Sequence, residues 1–185
     1  SNRIMAWRIK HGVQGEDFAL VRDVVDLVGS HCEPQRFLST LRGIEVRFGR
    51  PPALVVIDTL AMTFGGGREN TDDMAVYVAH CRQIANEADV TILIIHHRPR
   101  SDERAMRGHG SLAGALDTSL ICERKSKQLH KVTIDKQRDG PRDISFLFEL
   151  EGVDVGGGHQ SMVVKPLDRA GAIAPDVHLE PGRYE

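Results

Sequence analysis

The sequence predicts an α/β fold in which a mostly parallel sheet flanked by helices gives way to an antiparallel β-meander. A continuous apolar run, Ala53–Ile57, and a second strand expected to be buried, Val90–Ile95, enclose a helix-length segment, and strand, helix, strand with short links is a βαβ unit with an expected right-handed crossover. Beyond residue 117, three strand-like segments follow one another, with a tight turn at Asp139-Gly140-Pro141. At 185 residues the chain can bury one sizeable core without disulfides or metal. Residues 1–151 are expected to form that core, and residues 152–185 an edge strand and tail of the same domain.

Taken in order, residues 3–10 (RIMAWRIK) carry apolar Ile4, Met5, Trp7 and Ile9 beside Arg3, Arg8 and Lys10, which fits the end of an amphipathic helix stopped at Gly12. Residues 17–28 (DFALVRDVVDLV) read as a strand and its exit. Pro34–Phe48 reads as a helix, with Pro34 in a first-turn position and Pro51-Pro52 closing the segment. The run ending at Ile57 has the unbroken apolar character of a strand buried on both faces, and Asp58 stands at its carboxyl end. Thr71 is the expected N-cap of a helix reaching about Ala88, with Asp72 and Asp73 complementing its dipole. The second apolar run ends in His96-His97. Residues 98–110 (RPRSDERAMRGHG) form a polar, basic loop, Ser111–Leu116 a short helix, and Thr118–Glu123, Leu129–Asp135 and Ile144–Leu150 the meander. Gly156-Gly157-Gly158 precedes a further edge strand, Ser161–Pro166.

Composition excludes some classes. A formal charge of −2, from 24 basic and 26 acidic residues, names no polyanionic partner by itself, although a local basic loop can still hold nucleic acid. Cys32, Cys81 and Cys122 are odd in number and form no CxxC pair, which points to a reducing cytoplasm rather than a disulfide or zinc framework. No apolar run approaches the roughly 20 residues that span a bilayer.

Several residues could carry chemistry. Asp58 lies at the carboxyl edge of a strand, where open α/β sheets place ligands, and one carboxylate can hold the water shell of Mg²⁺ beside substrate phosphates. His96 and His97 end the neighbouring strand, within reach of a terminal phosphate. Arg98, Arg100, Arg104 and Arg107 could grip a nucleic-acid backbone without reading sequence. Lys136 and Arg138, two apart at a strand end, point to one side and could reach an anion together. A second reading of the same region gathers Asp58, His96, His97, His109 and Asp117 into a hydrolytic metal site, although no compact ligand motif such as HExxH occurs.

The segments ALVVIDTLAMTFGGGREN, TILIIHH, RGHGSLAGALDTSLICER and VTIDKQRDGP, in that order, resemble the RecA-like P-loop ATPases of the plasmid RepA type. The last two are also similar to DnaB replicative helicases. The resemblance covers residues 3 to 150. It implies a RecA-like core, ATP and Mg²⁺ as cofactors, single-stranded DNA as partner, and a homo-oligomeric, hexameric ring with nucleotide between subunits. It further implies that Asp58 is the Walker B aspartate, that Thr59, His96 and His97 adjoin the nucleotide with His96 sensing the γ-phosphate, and that Lys136 and Arg138 serve the next subunit's nucleotide. Arg107-Gly108 opens the motif leading from the DNA-facing loop. RepA-type proteins carry an arginine finger later in that motif, where this chain has Asp117.

One family element is missing. No GxxxxGK[ST] occurs, so the lysine and amides that cradle phosphates, and the hydroxyl that ligates magnesium, are not in the sequence. The family's catalytic glutamate lies upstream of the segment that residues 3–12 resemble. The expectation is therefore an N-terminally truncated core, inactive in hydrolysis by itself, from a DNA-translocating ATPase. A non-catalytic DNA-binding or assembly module stands as the alternative, and the metal hydrolase as a third reading.

Overall fold

A computed structural model describes residues 1–14, 18–23, 25–29, 33–65, 72–97, 110–142 and 144–167. They divide between two compact units: residues 17–116, and residues 1–16 together with 117–185.

In the first unit, helix α2 (Pro34–Phe48) carries its proline in the first turn, where the missing N–H costs nothing. Strand β1 (Leu54–Asp58) pairs in parallel with β2 (Thr91–Ile95), and α3 (Asp73–Ala88) connects them; this is the expected βαβ unit. Helix α4 (Gly110–Ala115) follows. One cluster holds this unit together. Leu38 and Leu41 of α2, Ile57 of β1, Met74, Tyr77 and Ile84 of α3, and Leu112 of α4 are all buried in it. Each fully buried aliphatic side chain contributes about 1.5–3 kcal/mol by leaving water.

Apart from Asp58 and Thr91 both strands are apolar, yet only one side of each meets that cluster. Val55, Ile92 and Ile94 pack against it, while Leu54, Val56, Leu93 and Ile95 remain 37–53% exposed. Burial on both faces is therefore not what the structure has: α2 and α3 contribute to the same cluster. The helix expected from Thr71 begins at Asp73, with Asp72 in the N-cap position and Asp73 in the first turn; Thr71 lies outside the described residues.

The strand expected over residues 17–28 is not present in the described part of that segment. Its backbone groups are spent elsewhere. Asp26 Oδ1 accepts from the N–H groups of Val28 (2.8 Å) and Gly29 (2.7 Å), bending the chain, and the Leu27 N–H donates to the carbonyl of Thr63 at 2.9 Å. A groove of about 970 Å³ is lined among others by Phe18, Leu20, Phe37, Ile44, Leu54 and Val56.

In the second unit, α1 (Asn2–His11) ends at Gly12 as its sequence predicts. Strands β3 (Thr118–Arg124), β4 (Leu129–Gln137), β5 (Ser145–Gly156) and β6 (His159–Leu167) form an antiparallel sheet in that order. This is the expected meander with longer strands, and residues 152–167 belong to its last hairpin. Helix α1 packs on β5 and β6, burying Ala6 and Val163, and Lys10 Nζ meets Glu151 Oε1 at 2.6 Å. The Lys10 hydrogen bond holds the Glu151 carboxyl below its ordinary value. The β5–β6 tip has three successive positive φ angles, 87°, 62° and 76°, at Gly156, Gly157 and Gly158. Among the described residues, no helix is long and apolar enough to cross a membrane.

Candidate functional site

Asp58 is the last residue of β1 and is exposed, next to buried Ile57. Its place follows from register. Asp58 lies opposite Ile95, so the two histidines after Ile95 leave the sheet beside it. Exposure alternates along β2 and past its end, with half-buried His96 continuing the core side and exposed His97 the side of Asp58. The parallel pair thus brings Asp58, His96 and His97 to one sheet edge, with His97 on the aspartate's face.

The chain beyond Asp58 is tied down in three steps. The Asp58–Thr59 peptide is cis, and extended Thr59 leads into a 3₁₀ turn over Leu60–Thr63 whose first residue is fully buried. Thr63 Oγ1 donates to the Leu60 carbonyl at 3.1 Å, which leaves it to accept the Tyr77 hydroxyl at 2.9 Å. The Phe64 ring packs on Tyr77 with centroids 5.3 Å apart. A second strap comes from residues 26–29: Leu27 N–H meets the Thr63 carbonyl, and His80 Nδ1 lies 2.8 Å from the Leu27 carbonyl. Finally, Gly65 (φ +56°) lies against the Asp26 carboxylate, so closely that a Cβ there would overlap it. Burial pushes the Tyr77 hydroxyl well above its ordinary value, and burial likewise pushes the Cys81 thiol up to about 12.

These fasteners were not singled out as such in the sequence. The spacing Asp26-x-x-Gly29 is a readable signal for an aspartate closing a turn on its own backbone. Tyr77 and Thr63 carry no such signal, because their pairing joins α3 to the turn after β1 across 14 residues.

In the other unit, Lys136 lies opposite Ser119 near the end of β4, and Arg138 immediately follows the strand. The ladder slips between Ser119 and Leu120: Leu120 faces Ile134 and Ser119 faces Lys136, leaving Asp135 as an extra residue. Such bulges re-aim the side chains after them. Arg138 is tied to Asp117 twice, by Nη1 to Oδ1 at 2.7 Å and by its N–H to the Asp117 carbonyl at 2.9 Å. Thr118 Oγ1 donates to Gln137 Oε1 at 2.9 Å beside them.

The arginines expected to face nucleic acid, Arg98, Arg100, Arg104 and Arg107, lie outside the described residues, as does His109. Among the described residues, no group of three or more His, Cys, Asp or Glu side chains is placed to hold a metal ion. The hydrolase reading also needs His109, which lies outside the described residues. A strand-end carboxylate such as Asp58 could hold Mg²⁺ through its waters, the remaining oxygens coming from substrate phosphates.

Residues 1–103 match the family of AAA domains. The chain belongs to that family. No curated protein matches it. Among solved structures, this AAA domain is similar to an ATPase domain, with a TM-score of 0.52 and 21% identity over 63% of this chain and 47% of that one. It is also similar to a DnaB-like replicative helicase described with its interactions with primase, with a TM-score of 0.51 and 22% identity over 64% of this chain and 33% of that one. The AAA domain thus spans about half the length of the first and a third of the second. These likenesses bear out the expected fold, a RecA-like α/β core.

Proposed function

We propose that this AAA domain is part of an ATP-dependent motor that moves along single-stranded DNA, with Mg-ATP bound at the β1–β2 edge between subunits of a hexameric ring. The observation that carries this is the register that ends β1 at Asp58 and the adjacent parallel strand one residue before His96-His97. In this reading Asp58 holds the magnesium water shell, Thr59 adjoins it, and His96 and His97 lie near the terminal phosphate. Magnesium, when bound, supplies charge neutralisation on the phosphates.

Lys136 and Arg138 then serve the nucleotide of a neighbouring subunit, where an arginine stabilises charge developing on the transferring phosphoryl group. Arg98, Arg100, Arg104 and Arg107 contact the DNA backbone. The absence of GxxxxGK[ST] from the sequence means that residues 1–185 alone do not turn over ATP in this reading.

The test is phosphate release from Mg-ATP by the protein as encoded in its gene, with and without single-stranded DNA. DNA-stimulated release is expected. No release, in a protein whose gene encodes no phosphate loop, would leave a non-catalytic DNA-binding or assembly module instead.

A further inference from the structure

The residue that meets Arg138 is Asp117, where the resemblance would have put an arginine. The two are joined at both levels of structure. The backbone bond, Arg138 N–H to Asp117 carbonyl, extends the β3–β4 ladder one pair past its assigned ends, so the residues stay neighbours whatever their side chains do. The side-chain bond, Nη1 to Oδ1, is different in kind: the two side chains are 54% and 73% exposed, and such an ion pair is weak, solvated and easily exchanged. A fixed backbone with a loose ionic contact is the construction of a parked side chain rather than of a structural strut.

We infer that Asp117 is a positioning residue that parks the Arg138 guanidinium against its own subunit, and that a polyphosphate displaces the carboxylate when it arrives. This rests on the reading of Arg138 given under Proposed function. A guanidinium can satisfy a carboxylate or a phosphate with the same fork of donors, and the more highly charged polyphosphate wins the exchange. Parking keeps the cation engaged while no nucleotide faces it. It also lowers the fraction of arginines free to reach the transition state, and that fraction sets turnover directly.

The experiment is a double-mutant cycle on the protein as encoded in its gene, following Mg-ATP turnover, affinity for a non-hydrolysable ATP analogue and thermal midpoint. Asp117→Asn keeps the backbone bond and the size of the side chain but removes the charge. It is expected to raise turnover about two- to sixfold, the range that follows from releasing an exposed ion pair. Analogue affinity should rise by no more than that factor, the thermal midpoint should stay unchanged, and both rises should vanish in an Arg138→Ala background. A merely structural Asp117 would give lower turnover together with a lower midpoint. Unchanged or reduced turnover in Asp117→Asn, with Arg138→Ala lowering turnover about a thousandfold as a finger should, overturns the parking role alone. A rise that persists without Arg138 also overturns it. If Arg138→Ala leaves turnover intact, or the protein turns over no ATP, the reading of Arg138 fails and the parking role fails with it.

Discussion

The carboxylate of Asp26 occupies the space in which a side chain at Gly65 would begin. That single juxtaposition links the bend at residues 26–29 to the loop that follows the candidate magnesium-holding residue. Gly65→Ala meets two penalties there, the overlap with Asp26 and a positive φ that an L side chain rarely adopts. Destabilisation of about 1–3 kcal/mol is expected, read as a shift in the urea midpoint at constant slope. In an Asp26→Ala background the same change should cost less, because only the backbone penalty remains.

Tyr77→Phe isolates the relay Tyr77 hydroxyl to Thr63 hydroxyl to Leu60 carbonyl. The ring stays and its packing on Phe64 with it, so the loss should be about 1 kcal/mol, the net worth of one hydrogen bond. Equilibrium urea unfolding of the two proteins measures it. A loss within error of zero would show that the relay is dispensable.

Alkaline pH should act through the same helix. The folded state raises the Cys81 thiol from 9.0 to about 12 and the Tyr77 hydroxyl upward from 10.0, in both cases first of all by burial. Folded protein therefore keeps protons that the unfolded chain releases, and stability falls as pH rises. Stability should be flat below pH 9 and decline between 9 and 12, the window of the Cys81 shift. Urea midpoints at neutral and alkaline pH test this. Cys81→Ala should make the decline shallower, leaving the Tyr77 hydroxyl and the Cys122 thiol, which burial also raises, to titrate.

Asp58→Asn should separate chemistry from folding. The carboxylate is exposed, so its removal should leave the thermal midpoint nearly unchanged, while Mg-ATP turnover by the protein as encoded falls on the order of 100-fold or more. A turnover little changed would remove Asp58 from the magnesium site.

Neutralising Arg98 and Arg100 together should weaken binding to single-stranded DNA and flatten its salt dependence. Each lost phosphate contact removes about 0.7 from the slope of log affinity against log salt, so the pair should remove about 1.4. Titrations at several salt concentrations measure this directly, and an unchanged slope would take the loop off the DNA path.

The parts of this protein that local sequence governs were readable. Pro34 starts α2, the apolar runs become β1 and β2, and the position of Asp58 beside His96-His97 follows from strand ends alone. The parts governed by partners distant in sequence were not. Residues 18–29 have the apolar content of a strand, but Asp26 turns them back on their own backbone and Leu27 bonds to Thr63. Leu54 and Val56 have the composition of a doubly covered strand, but composition does not tell on which side of a sheet the helices gather. The pairing of Arg138 with Asp117 depends on a ladder that slips by one residue at Asp135, and no spacing in the sequence announces that slip.

The three-glycine tip between β5 and β6 has a practical corollary. Cβ atoms added at Gly156 and Gly158 would meet nothing within 4 Å, and one at Gly157 only the His159 ring at 3.7 Å, so the obstacle to a side chain there is the handedness of the backbone and not want of room. A fluorophore or affinity handle would thus be tolerated better as a spliced-in flexible insert, which lets the turn relax, than as a residue-for-residue replacement. The hairpin end offers an attachment point at the opposite end of its own sheet from Thr118 and Gln137.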